Sequence, residues 1–293
     1  MAKNRREFLG NSLKLAGASL AFVAFDDLYA LEATTNTISP IKETTMNDLT
    51  PTAKANLERL FGTSKLPQED LEFFTNYANF AFDEVWEKSP LQEHERLLII
   101  LASLVAIPAK EEFGTMLNAA LNLGINPIAI KEVVYQATPY VGMGKIAEIV
   151  SLTNTIFKQR GIKLPLESQG TTNRQNRKQK GLETQRVLFG EGIDKSNAAA
   201  PSDQRHIRDF LSANCFGDYY TRTGLELQFR ELITFVYIAS MGGAEPQLRA
   251  HIVGNLRNGN DRAKLTAVIT ALVPYIGYPR SLNALSAIDE IAK

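Results

Sequence analysis

Histidine is the side chain best suited to move a proton near neutral pH, and this chain of 293 residues has three. His94 and His206 sit among charged residues near expected helix starts and read as surface residues. His251 ends the stretch Gln247-Leu248-Arg249-Ala250-His251 and is the candidate proton donor. The bland alternative is a histidine packed at a helix interface with one nitrogen satisfied. Glu112 is a carboxylate able to act as a base or to orient a substrate, or else a solvated helix residue. Arg96 and Arg230 each open a long apolar run. A guanidinium there can clamp a carboxylate bidentately, or it can form a helix-end ion pair with Glu93 or Glu226. Tyr140 and Tyr275 sit in Pro-Tyr-Val-Gly and Pro-Tyr-Ile-Gly, as hydroxyl donors or as packing residues at a chain break. Trp86, Tyr219 and Tyr220 flank the apolar runs and read as lining for a pocket or an interface. No histidine and carboxylate share a metal-ligand spacing such as His-Glu-x-x-His, so no metal site and no cofactor is expected.

These residues come in pairs because the chain repeats itself. Phe82 to Ile107 aligns without gaps to Phe216 to Met241, matching Arg96 with Arg230. After one inserted residue, Ala109 to Ile156 aligns with Ala244 to Ile291. Leu121-Asn122-Leu123-Gly124 then meets Leu256-Arg257-Asn258-Gly259, and Tyr140 meets Tyr275. Leu60-Phe61-Gly62 likewise recurs as Leu188-Phe189-Gly190. Within this register His251 falls on Met116, and Glu112 falls on Gln247.

The elements that must hold them read as helices. Glu95 to Ile107 is nearly continuous in apolar residues, too long for an ordinary strand, and predicts a buried helix closed by Pro108. Glu111 to Leu123 places Phe113, Met116, Ala120 and Leu121 on one face, and Gly124 supplies the left-handed stop. Asn126-Pro127 caps and opens the helix Ile128 to Thr138; Pro139 to Gly142 breaks it, and a last helix runs Lys145 to Lys158. No stretch alternates with period two, so an all-α fold of two tandem units is expected, over residues 51–160 and 183–293. Residues 161–182 read as a linker, and within it 167–181 is polar, glycine-containing and without apolar anchors, a solvated tether.

Composition narrows the partners. Lys+Arg and Asp+Glu both total 32, so no net field draws the protein to nucleic acid or to an anionic membrane. A single cysteine, Cys215, rules out an intrachain disulfide. Residues 1–30 carry Arg5-Arg6 ahead of an apolar run too short for the roughly 20 residues of a bilayer span. They read as a twin-arginine export signal addressed to the periplasm or beyond, or as an uncleaved anchor. Residues 31–50 read as a flexible lead-in.

Taken together, these motifs resemble the carboxymuconolactone decarboxylase family, whose all-helical fold is shared with the alkylhydroperoxidase AhpD. The family pattern is a buried helix opened by Arg, then Glu-Leu-x-x-His, a turn with Asn-Gly, and Tyr-x-Gly-x-Pro. Arg230, Gln247 to His251, Asn258-Gly259 and Tyr275-Ile276-Gly277-Tyr278-Pro279 follow it in the second unit. The departures are Gln247 for the glutamate, Met116 for the first unit's histidine, and Gly144 for its proline. The resemblance implies a lyase acting without cofactor on a small carboxylated lactone or related unsaturated acid. His251 and Glu112 would be catalytic, with Arg230, Arg96, Gln247, Tyr275 and Tyr140 contacting substrate. It also implies a closed homo-oligomer, a trimer of tandem units. The peroxidase branch needs Cys-x-x-Cys, which a lone Cys215 cannot supply. The other reading is therefore a family member that has lost that pair and binds a small molecule or a partner without turnover.

Overall fold

The computed structural model describes residues 48–293, and the expected export signal and nearly all of the lead-in lie outside them. Among the described residues there is no strand, and no helix is long and apolar enough to cross a membrane. The first unit opens with α1 (Pro51–Phe61) and α2 (Leu71–Asn79), which continues through a π-helical turn at Phe80–Glu84 into α3 (Val85–Lys88). Then come α4 (Glu93–Ala106), α5 (Lys110–Asn122), α6 (Pro127–Gln136), α7 (Thr138–Val141) and α8 (Met143–Gln159). The second unit has α9 (Arg177–Phe189), α10 (Gly192–Ala198) and α11 (Arg205–Phe210), the last running into a π-helical stretch, Leu211–Tyr220. It ends with α12 (Leu227–Met241), α13 (Glu245–Arg257) and α14 (Arg262–Ile291).

Local chemistry sets the boundaries. The Asn126 side chain accepts from the Ile128 N–H at 2.8 Å with Pro127 behind it, and Asp261 caps α14 through the Lys264 N–H at 2.7 Å. Gly124 stands at φ 73°, where a side chain would be strained. The break expected at Pro139 to Gly142 appears as α7 and a left-handed Gly142. In the second unit the same feature is a kink inside α14 at Gly277, φ 71°.

The core forms where α4 and α12 pack against each other, each buried on almost all sides. One apolar cluster runs through both units, so the repeats share a core. Residues 161–176 are not a free tether. Thr171 and Thr172 donate to the carbonyls of Thr221 and Gly217, and the Thr223 N–H donates to Gln169 O. From Arg177 the chain is already helical, and α9 crosses the Leu211–Tyr220 stretch at backbone contact. A Cβ at Gly181 would lie 1.8 Å from Ser212 O, and one at Gly217 2.2 Å from Arg177 O. The polar residues that made this segment look solvated are its anchors, and the glycines permit the close crossing.

Candidate active site at His251

His251 is buried on α13, and its Nδ1 lies 2.7 Å from Oε1 of Glu231, a fully buried residue of α12. That contact leaves Nε2 as the ring nitrogen available to the adjoining cavity. The ring is held edge-on between Tyr140 and Phe189, with centroids at 5.8 and 5.5 Å. Behind Glu231 the hydrogen bonds form a chain. Tyr220 donates to Glu231 Oε2 at 2.8 Å, Tyr140 to the Tyr220 oxygen at 3.2 Å, and the Cys215 thiol to Tyr140 at 3.4 Å. Tyr220 also lies 2.6 Å from Thr234 Oγ1, which competes for its single proton, and this gathering of polar groups is how a low-dielectric interior tolerates the buried carboxylate. Burial also keeps the surrounding acids neutral: the Cys215 thiol is pushed up to about 12, and both tyrosine hydroxyls well above their ordinary value. Gly254 makes room for the carboxylate, since a Cβ there would stand 2.3 Å from Glu231 Oε1.

The cavity beside His251 measures about 560 Å³. Its walls are largely apolar, with Phe189, Leu211, Phe216, Ile238 and Met241. Tyr140, Cys215, Gln185, Gln247, Arg208 and His251 are the polar lining. A mostly apolar hollow with few convergent polar groups is the ordinary form of a small-molecule site.

The structure separates the residues singled out from sequence. His251, Gln247 and Tyr140 share this cavity. Glu112 does not line it; half-buried on α5, it accepts a hydrogen bond from Tyr77 at 3.3 Å, and burial pushes its carboxyl up against the pull of that hydroxyl. Arg230 is no substrate clamp and does not pair with Glu226. It is fully buried and bound to Glu132 at 2.9 Å, to Gln136 at 2.8 Å, and to the carbonyls of Arg222 and Thr223. Arg96 is engaged through one nitrogen: its Nη2 donates to the Ser89 and Leu91 carbonyls and the guanidinium lies 4.7 Å over the Trp86 ring, while Glu93 pairs with Arg59. Its Nη1, like Nε of Arg230, is buried without a hydrogen-bond partner. Tyr275 buries its hydroxyl beside Tyr77, and the charges it feels are Glu112 and Arg96, on the first unit's side. Tyr140 is not tied to backbone, and crosses the other way into the second unit's site.

Glu231, Arg208 and Cys215 belong to this candidate site and were missed by the motif reading. A signal for Glu231 was present: it stands inside an apolar helical run where the other repeat has Leu97, with Thr234 one turn on where the other has Ile100. A carboxylate in a buried helix requires a partner, and His251 is twenty residues further along the chain. Cys215 and Arg208 precede the motif region, and only the folding of the π-helical stretch onto α9 brings them in.

Comparison with known proteins points to one family. The family model for the carboxymuconolactone decarboxylase family matches residues 72–154 and 206–290. The 4-carboxymuconolactone decarboxylase of Acinetobacter baylyi is 30% identical over 90 residues, covering 30% of this chain and 67% of the relative. A solved structure from Burkholderia xenovorans, assigned as a gamma-carboxymuconolactone decarboxylase subunit, matches 79% of this chain and 93% of its own at TM-score 0.47 and 18% identity. With one matched segment in each helical unit, together more than half of its length, the chain belongs to the carboxymuconolactone decarboxylase family.

Proposed function

We propose that the chain is a lyase that removes CO2 from a small carboxylated lactone, or a related unsaturated acid, in the His251 cavity. Decarboxylation breaks the bond between ring carbon and carboxylate and leaves the electron pair in the conjugated lactone as a dienolate. The dienolate must then gain a proton on carbon. Imidazolium Nε2–H at the cavity wall delivers it, and the neutral imidazole is reprotonated from water between turnovers. Glu231 at 2.7 Å from Nδ1 fixes the ring and compensates its charge in the cationic state. Arg208 and Gln247 are the lining groups able to receive the substrate carboxylate and the lactone oxygen. The apolar walls favour the reaction, because a carboxylate desolvated there gives up its charge on becoming CO2.

The observation that supports this reading is the buried His251–Glu231 pair opening onto an apolar cavity of substrate size. The test is turnover of a panel of carboxylated γ-lactones, followed by CO2 release, for the purified protein and its His251→Ala variant. Decarboxylation by wild type, lost in the variant, supports the lyase. Saturable binding of the same lactones with no CO2 released would replace it with a binding module.

A further inference from the structure

A second charged hollow lies elsewhere, on the first unit. It is a cavity of about 640 Å³ between α6, α8 and residues 164–169 of the inter-unit segment. Lys131 of α6 lines it, only 5% exposed, and its ammonium donates to Asn154 Oδ1. The ammonium also stands 5.3 Å from the Tyr135 ring centroid and 5.8 Å from that of Phe157. Among the described residues no carboxylate pairs with it, and burial alone pushes it down from its ordinary value. Lys158 and Arg222 line the same hollow. Arg222 is already paired with Glu132, which also holds Arg230, while neither lysine forms an ion pair with Glu132 or with Glu167, the other carboxylate of the lining. The remaining wall is apolar, from Ile128 and Leu164 to Leu166.

A buried ammonium held only by a neutral amide and two aromatic rings is costly, so its persistence calls for an anion that arrives from outside. The duplication supplies an internal control. The equivalent groove of the second unit is lined by Thr266, Ala267 and Thr270 where the first has Lys131, Glu132 and Tyr135. The second groove is also charged, by Lys88, Asp261 and Arg262, but its two cations pair with Glu87 and Asp289, and it has a neutral threonine at the position of Lys131. We propose that this cavity is a second binding site, separate from the His251 cavity, for a small organic carboxylate. The carboxylate would be taken by Lys131 and Lys158, with Arg222 beside them, and its apolar body would lie against Ile128, Tyr135 and Leu164 to Leu166.

The test is calorimetric titration of the full chain, at low ionic strength, with benzoate and separately with inorganic phosphate. Benzoate should bind saturably. Lys131→Met should weaken it about tenfold or more, Lys158→Ala severalfold, and His251→Ala not at all. Absence of saturable benzoate binding overturns the proposal, as does binding lost in His251→Ala but kept in both lysine variants. Phosphate binding more tightly than benzoate, with the same dependence on lysine, would overturn the assignment to a carboxylate. Should Lys131→Met fail to fold, unchanged benzoate affinity in Lys158→Ala is by itself sufficient to reject the site.

Discussion

At the scale of single residues, the dyad makes the sharpest demands. If His251 delivers the proton, His251→Ala should lower kcat by about 10²–10⁴-fold, with the circular-dichroism spectrum retained. A pH dependence of kcat present in wild type should vanish in the variant. Met116, the equivalent residue in the first unit, is fully buried in the shared core. Its replacement by Ala should act through packing instead, costing about 2–5 kcal/mol in chemical denaturation. Cys215 is a hydrogen-bond donor on the cavity wall, not a nucleophile. Its thiol is raised from an ordinary 9 to about 12 by burial, so the folded state favours the protonated form. The contribution of Cys215 to stability is therefore complete below pH 9 and is lost as pH climbs from there towards 12. Comparing unfolding free energies of wild type and Cys215→Ser across that range isolates it. Cys215→Ser, which keeps the donor to Tyr140, should retain turnover. Peroxide reduction by wild type that disappears in Cys215→Ser would mean that the thiol is reactive after all.

At the scale of elements, close approaches explain positions that a helical pattern leaves free. Gly181 and Gly217 let α9 lie on the Leu211–Tyr220 stretch, and that stretch carries Cys215 and Tyr220 into the site. Gly181→Ala would place a Cβ inside the Ser212 carbonyl, so the two elements must part. The expected result is a loss of about 1–3 kcal/mol on denaturation, accompanied by lower activity because the network behind Glu231 loosens. Gly254→Ala works on the site directly by evicting Glu231 Oε1. These two substitutions should differ in kind. The first lowers stability and activity together, while the second lowers kcat by more than its stability change accounts for.

At the scale of the whole molecule, the two repeats complete each other. Tyr140 from the first unit enters the second unit's site, while Tyr275 from the second unit lies beside Glu112 and Arg96 of the first. Glu132 of the first unit bridges Arg222 and Arg230 of the second in the buried interface. Glu132→Gln would leave Arg230 buried beside a neutral side chain. It should destabilise the full chain by about 3–5 kcal/mol, measured by urea unfolding. Oligomerisation is a further proposal at this scale. Tyr278 and Leu282 on α14 stay more than half exposed, as do Val187, Ile207 and Phe210 at the start of the second unit. We propose that a trimer of tandem units covers such surfaces, and a stable monomer by light scattering at micromolar concentration would exclude it.

The sequence by itself determined the helical class, the duplication and most element ends. Those depend on local properties that survive in one dimension: the apolar period, the Asn126-Pro127 cap, the glycines at left-handed stops. It also singled out His251, because the register against Met116 left only one copy able to move a proton. Tertiary structure decided the partners. Arg96 and Arg230 looked like substrate clamps as long as their neighbours in space were unknown, and the fold turned most of their donors to Ser89, Leu91, Glu132 and Gln136. Glu112 and His251 looked like halves of one site because the family motif joins them. In the folded chain His251 takes Glu231 from the neighbouring helix, and Glu112 faces Tyr77. Charge pairing inside a core depends on distances between helices far apart in the chain. Helix period and capping depend only on the next few residues, which is why the elements were legible in the sequence and the site was not.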